Sequence, residues 1–237
     1  MTTARRAAER LIVALDHPEL ASALKLVELL GDAVEFYKVG LELFIQEGAS
    51  AVEALRARGK RVFLDLKLHD IPETVKRAAA QAARLDVELL TVHASGGQAM
   101  LRAAVEGAGA KTRVLAVTVL TSLDLADLRA DGIPAASTEE QVVRRAILAR
   151  DAGCAGVVAS PLEAAAIRRR VEGALLIVTP GVRLAAPAPD AGDDQKRVET
   201  PRAALKAGAD AVVVGRPIRD AADPRAAAAR FLDELAG

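Results

Sequence analysis

The chain has 237 residues, 51% of them hydrophobic and 27% charged, with Lys+Arg and Asp+Glu equal at 32 each. That is globular composition, which excludes a disordered chain, and the zero balance argues against general binding to nucleic acid or to an acidic membrane surface. One cysteine, Cys154, excludes an intramolecular disulfide framework and a cysteine zinc cluster, and aromatics at 2% with no Trp exclude a base-stacking platform.

Met1 to Arg10 lacks the apolar stretch of a signal peptide, and no apolar run approaches the roughly 18 residues that span a bilayer, so a soluble, cytoplasmic protein is expected. Beyond Arg10, short β-branched apolar runs alternate with longer Ala/Leu/Arg/Glu segments at helical spacing. The runs are 11–16, 36–40, 61–67, 89–94, 113–120, 156–160, 175–180 and 211–216. Helices are expected between them, among them 18–30, 45–58 and 138–152, with an irregular stretch at 122–137. Nearly continuous apolar runs are buried on both faces, as parallel strands must be. Eight strictly alternating βα units in a chain of this length predict one (β/α)8 TIM barrel spanning 1–237. A doubly wound open sheet is the alternative, but it favours a Gly-x-Gly-x-x-Gly turn after the first strand, and here that strand runs into Leu15-Asp16-His17-Pro18.

Punctuation agrees with a single domain. Gly31, Gly59, Gly109, Gly153 and Gly208 stand where helices stop, and Pro18, Pro72, Pro161 and Pro217 where they start. Residues 182–199, with Pro187, Pro189 and Gly192, form a loop longer than compact domains usually tolerate without a functional reason. In a barrel this loop and 122–137 lie on the C-terminal face, where active sites are built.

Charged residues cluster on that face. The third run reads Val62-Phe63-Leu64-Asp65-Leu66-Lys67-Leu68-His69-Asp70. Side chains alternate along a strand, so Asp65 and Lys67 point into the barrel while Leu64, Leu66 and Leu68 face the helices. Asp16 ends the first run, Lys38 sits in the second and Asp70 lies just beyond the third, so the expected inward set is Asp16, Lys38, Asp65, Lys67 and Asp70. A buried Asp–Lys pair serving stability alone is the bland reading, but such pairs are often no better than apolar residues of equal volume. Alternating charges at strand C-termini perturb one another and preorganise a field for chemistry. The seventh run leads into Thr179-Pro180-Gly181-Val182-Arg183 and the eighth ends Val214-Gly215-Arg216. These are the positions where such barrels hold phosphate: Gly215 permits close backbone approach and Arg216 can fork an anion. No His/Asp/Glu spacing suggests a metal triad. His93 reads as a hydrogen-bonded structural histidine, Cys154 as a turn residue on the opposite face, and 168–170 as a solvated arginine face.

Asp65-Leu66-Lys67-Leu68-His69-Asp70-Ile71-Pro72-Glu73-Thr74-Val75 resembles the signature of the orotidine 5′-phosphate decarboxylase family, in its bacterial form. Further matching segments follow in the family's order: 15–16, 36–40, 91–94, 119–122, 179–183, 194–197 and 213–218. The Asp-x-Lys-x-x-Asp core is shared with magnesium-dependent sugar-phosphate decarboxylases and hexulose-phosphate synthases, which carry an acidic metal ligand in place of the second-strand lysine. Lys38 argues against that alternative. Glu73 departs from the Asn usual in bacterial members.

The resemblance implies decarboxylation of orotidine 5′-phosphate to UMP, without cofactor or metal, in a homodimer. It implies Lys67 as proton donor to C6 of the pyrimidine. Asp65 and Asp70 flank the departing carboxylate, Asp70 coming from the partner subunit. Lys38 binds substrate and fixes Asp65, Asp16 holds ribose hydroxyls, and Thr74, Thr121 and Pro180 contact substrate. Gln195, Gly215 and Arg216 hold the phosphate, with Arg183 beside them, and the 182–199 loop closes on it.

Overall fold

A computed structural model describes residues 3–171, 173–184 and 199–237. Eight strands, β1 (Leu11–Ala14), β2 (Phe36–Val39), β3 (Arg61–Leu68), β4 (Leu89–His93), β5 (Arg113–Val117), β6 (Gly156–Val158), β7 (Leu176–Thr179) and β8 (Ala211–Val214), form a closed barrel in chain order. Every neighbouring pair is parallel, and β1 closes the ring against β8 through Leu11↔Val212 and Val13↔Val214. The open-sheet alternative is therefore excluded. All eight apolar runs become strands, each one to three residues shorter at its end than the run itself or, for β3, one longer.

Two apolar layers follow from the period of two. Outward residues such as Val13, Tyr37, Leu64, Leu90, Ala116 and Ile177 pack against the helices in one large core. Inward residues Ile12, Phe36, Phe63, Leu89, Leu115, Val178 and Val213 fill the barrel interior with Ala14. Two residues further along the same strands the interior turns polar, because Lys38 follows Phe36, Asp65 follows Phe63 and Thr91 follows Leu89. The apolar plug below thus supports the charged layer above. Among the described residues no helix is long and apolar enough to cross a membrane.

Three local readings need correction. The helix expected over 45–58 is two helices, Leu41–Glu47 and Ala49–Arg56. Gly48 separates them at φ 61°, a left-handed conformation that ends the first helix and that glycine adopts without a Cβ clash. The stretch 122–137 contains the helix Leu125–Ala130, started by a capping box in which the Asp124 carboxylate accepts from the Ala126 and Asp127 N–H groups. Arg168 is not a solvated charge: it donates to the Leu175 and Gly208 carbonyls and pairs with Asp210 at 2.6 Å, tying its helix to the approaches of β7 and β8. Arg169 and Arg170 are exposed as expected. The chain also begins with a helix, Thr3–Arg10, that the sequence reading did not assign.

Candidate active site

The charged strand ends converge on a cleft of about 320 Å³ at the C-terminal mouth of the barrel. Asp16, Lys38, Asp65, Lys67, Thr121, Pro180, Arg183, Gly215 and Arg216 all line it. A larger hollow of about 650 Å³ opens at the N-terminal mouth. There Arg61 and Arg113 are already bound to Glu88, and among the described residues no lysine–carboxylate array faces the space, so the chemistry selects the smaller cleft.

Asp65 is the hinge of the site. Its Oδ2 accepts a hydrogen bond from Lys67 Nζ at 2.8 Å and lies 3.6 Å from Lys38 Nζ. Its Oδ1 accepts from the Thr91 hydroxyl at 2.9 Å. Lys38 Nζ also donates to Asp16 Oδ1 at 2.9 Å. The four charges alternate in sign, so each cation is flanked by carboxylate and the set is neutral as a whole. Burial pushes the Asp65 carboxyl up, but Lys38, Lys67 and the two hydrogen bonds outweigh it and hold the group below the usual carboxylate range. Lys67 is about 30% exposed and opens onto the cleft, while Asp65 beneath it is almost fully covered. Gly40 makes room for this arrangement: a Cβ there would stand 2.9 Å from Lys38 Nζ and 3.1 Å from Asp16 Oδ1.

The backbone that carries Lys67 is irregular. Leu64 pairs with Leu90 and Leu68 with Val92, a register shift that places three β3 residues opposite one of β4. Lys67 sits in this bulge at φ 50°, one of two non-glycine residues with positive φ among those described. Leu66 and Leu68 still pack outward, so the alternation read from sequence survives the bulge.

Asp70, expected among the inward charges, does not join the cleft of its own chain because β3 ends at Leu68, and Thr74 does not join it either. Asp70 is exposed, its Oδ1 accepting the Ile71 N–H at 2.7 Å, and Thr74 is exposed on the helix Pro72–Arg84. Glu73 is in the first turn of that helix and pairs with Arg77 one turn on, leaving Pro72 at N1 undisturbed. Gln195 lies outside the described residues, as does most of 182–199. The described ends of that segment meet, with the Arg183 N–H donating to the Glu199 carbonyl at 3.0 Å.

Phe63, Val117, Val119, Val158, Ala159 and Val213 add an apolar wall that was not singled out from sequence. Interior alternation on β3, β5, β6 and β8 marks Phe63, Val117, Val158 and Val213, whereas Val119 and Ala159 lie just past the ends of β5 and β6, where alternation gives no signal. Thr91 is a polar residue at an inward position of β4, and the same alternation exposes it. His93 packs against His69 with ring centroids 5.5 Å apart, instead of being held by a hydrogen bond among the described residues. Burial, then His69, Lys67 and Arg145, lower its pKa. Cys154 is buried, which pushes its thiol up to about 12 and removes it as a nucleophile at neutral pH. No group of three His, Cys, Asp or Glu placed to hold a metal occurs among the described residues.

The chain matches the sequence pattern of the orotidine 5′-phosphate decarboxylase / HUMPS family over residues 9–231. It is 56% identical over 220 residues to an orotidine 5′-phosphate decarboxylase of Anaeromyxobacter sp. (strain K), covering 93% of this chain and 95% of that one. It is 54% identical over 230 residues to one of Cereibacter sphaeroides, covering 96% and 97%. Among solved structures, the orotidine 5′-phosphate decarboxylase of Lactobacillus acidophilus superposes with a TM-score of 0.83 at 37% identity, covering 95% of this chain and 98% of that one. The Pyrococcus horikoshii enzyme gives 0.77 at 26% identity, covering 96% and 99%.

Proposed function

Because the chain belongs to the orotidine 5′-phosphate decarboxylase / HUMPS family, we propose that its cleft carries out the reaction by electrostatics alone, with Lys67 as the proton donor. The reaction is decarboxylation of orotidine 5′-phosphate to UMP and carbon dioxide. The observation that carries the residue assignment is the Asp65 carboxylate held between two ammonium groups at the floor of a cleft that Arg183 and Arg216 also line.

The bond between C6 and the substrate carboxylate breaks heterolytically. Carbon dioxide leaves, and the electron pair stays in an in-plane orbital at C6, outside the conjugated ring. No adjacent carbonyl can delocalise it, so the protein must stabilise the charge where it forms. The Lys67 ammonium, fixed by Asp65, faces that position and then donates its proton to C6. Asp65 is near the departing carboxylate, and loss of that like charge relieves the repulsion. Lys38 holds Asp65 and a substrate oxygen, Asp16 takes ribose hydroxyls, and Thr121 and Pro180 contact the nucleoside. Arg183, Gly215, Arg216 and Gln195 hold the phosphate, remote binding energy that can be spent on orienting the ring. The apolar wall of Val117, Val119 and Ala159 keeps the local dielectric low, which strengthens each of these interactions.

The site is completed by a second copy of the chain in a cytoplasmic homodimer. Asp70 to Thr74 form an exposed strip immediately beyond Lys67, with Ile71 about 68% exposed. An exposed apolar residue beside an aspartate and a threonine of the signature fits a surface that meets a partner's cleft. Mixing Lys67→Ala and Asp70→Ala dimers, with subunit exchange, should regenerate activity, since one site in each mixed dimer is intact. No recovery despite proven exchange would mean that each site is built from one chain.

The direct test is the ultraviolet change on turnover of orotidine 5′-phosphate by the purified protein, before and after treatment with EDTA. Full activity in EDTA is expected. Activity that EDTA abolishes and magnesium restores would favour the metal-dependent branch of the superfamily instead.

A further inference from the structure

Thr91 is the one residue of β4 that faces the bulge of β3. Its Oγ1 accepts the Lys67 N–H at 2.9 Å, so the main chain of the strained residue is held by a side chain. With that lone pair engaged, the hydroxyl proton points to Asp65 Oδ1, also at 2.9 Å. Thr91 is fully buried, so water does not compete for either bond. The other oxygen of the same carboxylate takes Lys67 Nζ. A closed ring results: Lys67 main chain to Thr91, Thr91 to Asp65, Asp65 back to the Lys67 ammonium.

We propose that Thr91 is a positioning residue for the decarboxylation, one that fixes the proton donor and its neighbouring carboxylate through this ring without touching substrate. The proposal rests on the reading given under Proposed function. The ring constrains two freedoms at once. It stops the Asp65 carboxylate from turning about its last bond, and it pins the backbone from which the Lys67 side chain springs. Loss of the hydroxyl leaves the Lys67 N–H without its acceptor and Asp65 Oδ1 without its donor, both in a place water does not reach. The Thr91 bond also favours the charged form of Asp65, so its loss moves that carboxyl toward protonation. Thr91 is not among the side chains lining the cleft, and UMP carries hydrogen at C6 where the substrate carries carboxylate. The ring should therefore matter to the chemical step far more than to product binding.

Wild type, Thr91→Val and Thr91→Ser should be assayed together on orotidine 5′-phosphate, with UMP affinity measured by calorimetry. Valine keeps the shape and removes the hydroxyl; serine keeps the hydroxyl and removes a methyl. Thr91→Val is expected to lose about 100-fold in kcat, the scale of removing one preorganised donor. Its Kd for UMP should stay within about threefold, and the acid limb of its pH–kcat profile should move to higher pH. Thr91→Ser should stay within about threefold of wild type. The proposal is overturned if Thr91→Val keeps kcat within threefold, if UMP affinity falls in step with kcat, or if serine is as damaging as valine. Should valine not fold, Thr91→Ala is read by the same criteria, and failure of both to fold makes Thr91 structural and equally overturns the proposal. A wild-type protein inactive on orotidine 5′-phosphate would sink the functional reading itself, separately from any comparison of variants.

Discussion

Lys67 holds φ at 50°, where a side chain costs roughly 1–2 kcal/mol because Cβ approaches the carbonyl oxygen. Such strain at a reacting group persists only when its surroundings impose it. Lys67→Ala should keep the fold and lose at least about 100-fold in kcat, the usual contribution of a general acid; a variant retaining a tenth of wild-type kcat would remove Lys67 from that role. Lys67→Gly removes the same ammonium and also the Cβ. It should therefore be more stable than Lys67→Ala by about 1 kcal/mol, a reversal of the usual order of these residues in a strand, seen as a Tm about 2–4 °C higher. Tyr37 presents a different residue-scale problem. It is fully buried on the outer face of β2, and burial raises its pKa, yet its hydroxyl finds no partner among the described residues. A hydroxyl desolvated without compensation costs free energy, so Tyr37→Phe should leave Tm unchanged or raise it, with kcat unaltered. A fall of several degrees would show that the hydroxyl is satisfied in solution.

The turn after β2 and the loop after β8 each show how an element prepares the site. Gly40 has a φ of −92°, which any residue can adopt, so the need for glycine there is one of space. A Cβ would fall against Lys38 Nζ and Asp16 Oδ1. Gly40→Ala should accordingly fold normally, because the clash is with the mobile end of a lysine, and yet lower kcat/KM by tenfold or more as Lys38 is displaced. Unchanged kinetics would show that Lys38 has another position of equal use. Gly215 differs: a Cβ there meets Ala14 and Asp16 at 3.5 Å, ordinary contact, so the protein itself does not exclude alanine. Arg216 next to it lines the cleft and is proposed to hold the phosphate. Arg216→Ala should cost about 2–4 kcal/mol in kcat/KM for orotidine 5′-phosphate and much less for orotidine, which has no phosphate to hold. Equal losses on both substrates would make the arginine structural.

Across the whole molecule, the two mouths of the barrel divide the work. The C-terminal mouth carries strained backbone and opposed charges. The N-terminal mouth carries conventional stabilising pairs: Glu88, just ahead of β4, accepts from Arg61 Nε at 2.6 Å and Nη2 at 2.7 Å at the start of β3, and also from Arg113 at the start of β5. Arg61 lies over the Phe36 ring, 4.2 Å from its centroid, so the clamp extends to β2. Burial raises the Glu88 carboxyl, but the two arginines outweigh it and hold the group low. An acid depressed on folding contributes stability that is present above its unfolded pKa, near 4.3, and lost as pH falls through the folded value. Glu88→Gln should therefore cost about 0.5–1 kcal/mol at pH 7, limited by solvent screening at the exposed Arg113, and the difference from wild type should shrink steadily below about pH 4. A gap in Tm that persists at pH 3 would show that packing, not charge, makes the clamp. The kcat of Glu88→Gln should not change, since the apolar interior layer separates it from the cleft.

Strand number, order and four of the five expected inward residues, Asp16, Lys38, Asp65 and Lys67, were legible in the sequence because they depend on local periodicity, and a period of two fixes which side chains share a face. Asp70, beyond the end of β3, is exposed because that period no longer governs it. Gly48, by contrast, reads as one small residue inside a helical pattern, and only its backbone angle divides the helix. Arg168 reads as one of three solvated arginines, and only the neighbouring strand ends supply the carbonyls that bury it. The bulge at Lys67 leaves no mark in the alternation of β3, since two extra residues restore the original facing. It exists through pairing with β4, from a segment more than twenty residues away. Thr91 is an ordinary strand residue until that pairing sets its hydroxyl against Asp65 and Lys67. The sequence determined which residues enter the barrel. Tertiary structure decided their mutual distances and strain, because those are set by register between strands that the linear pattern does not encode.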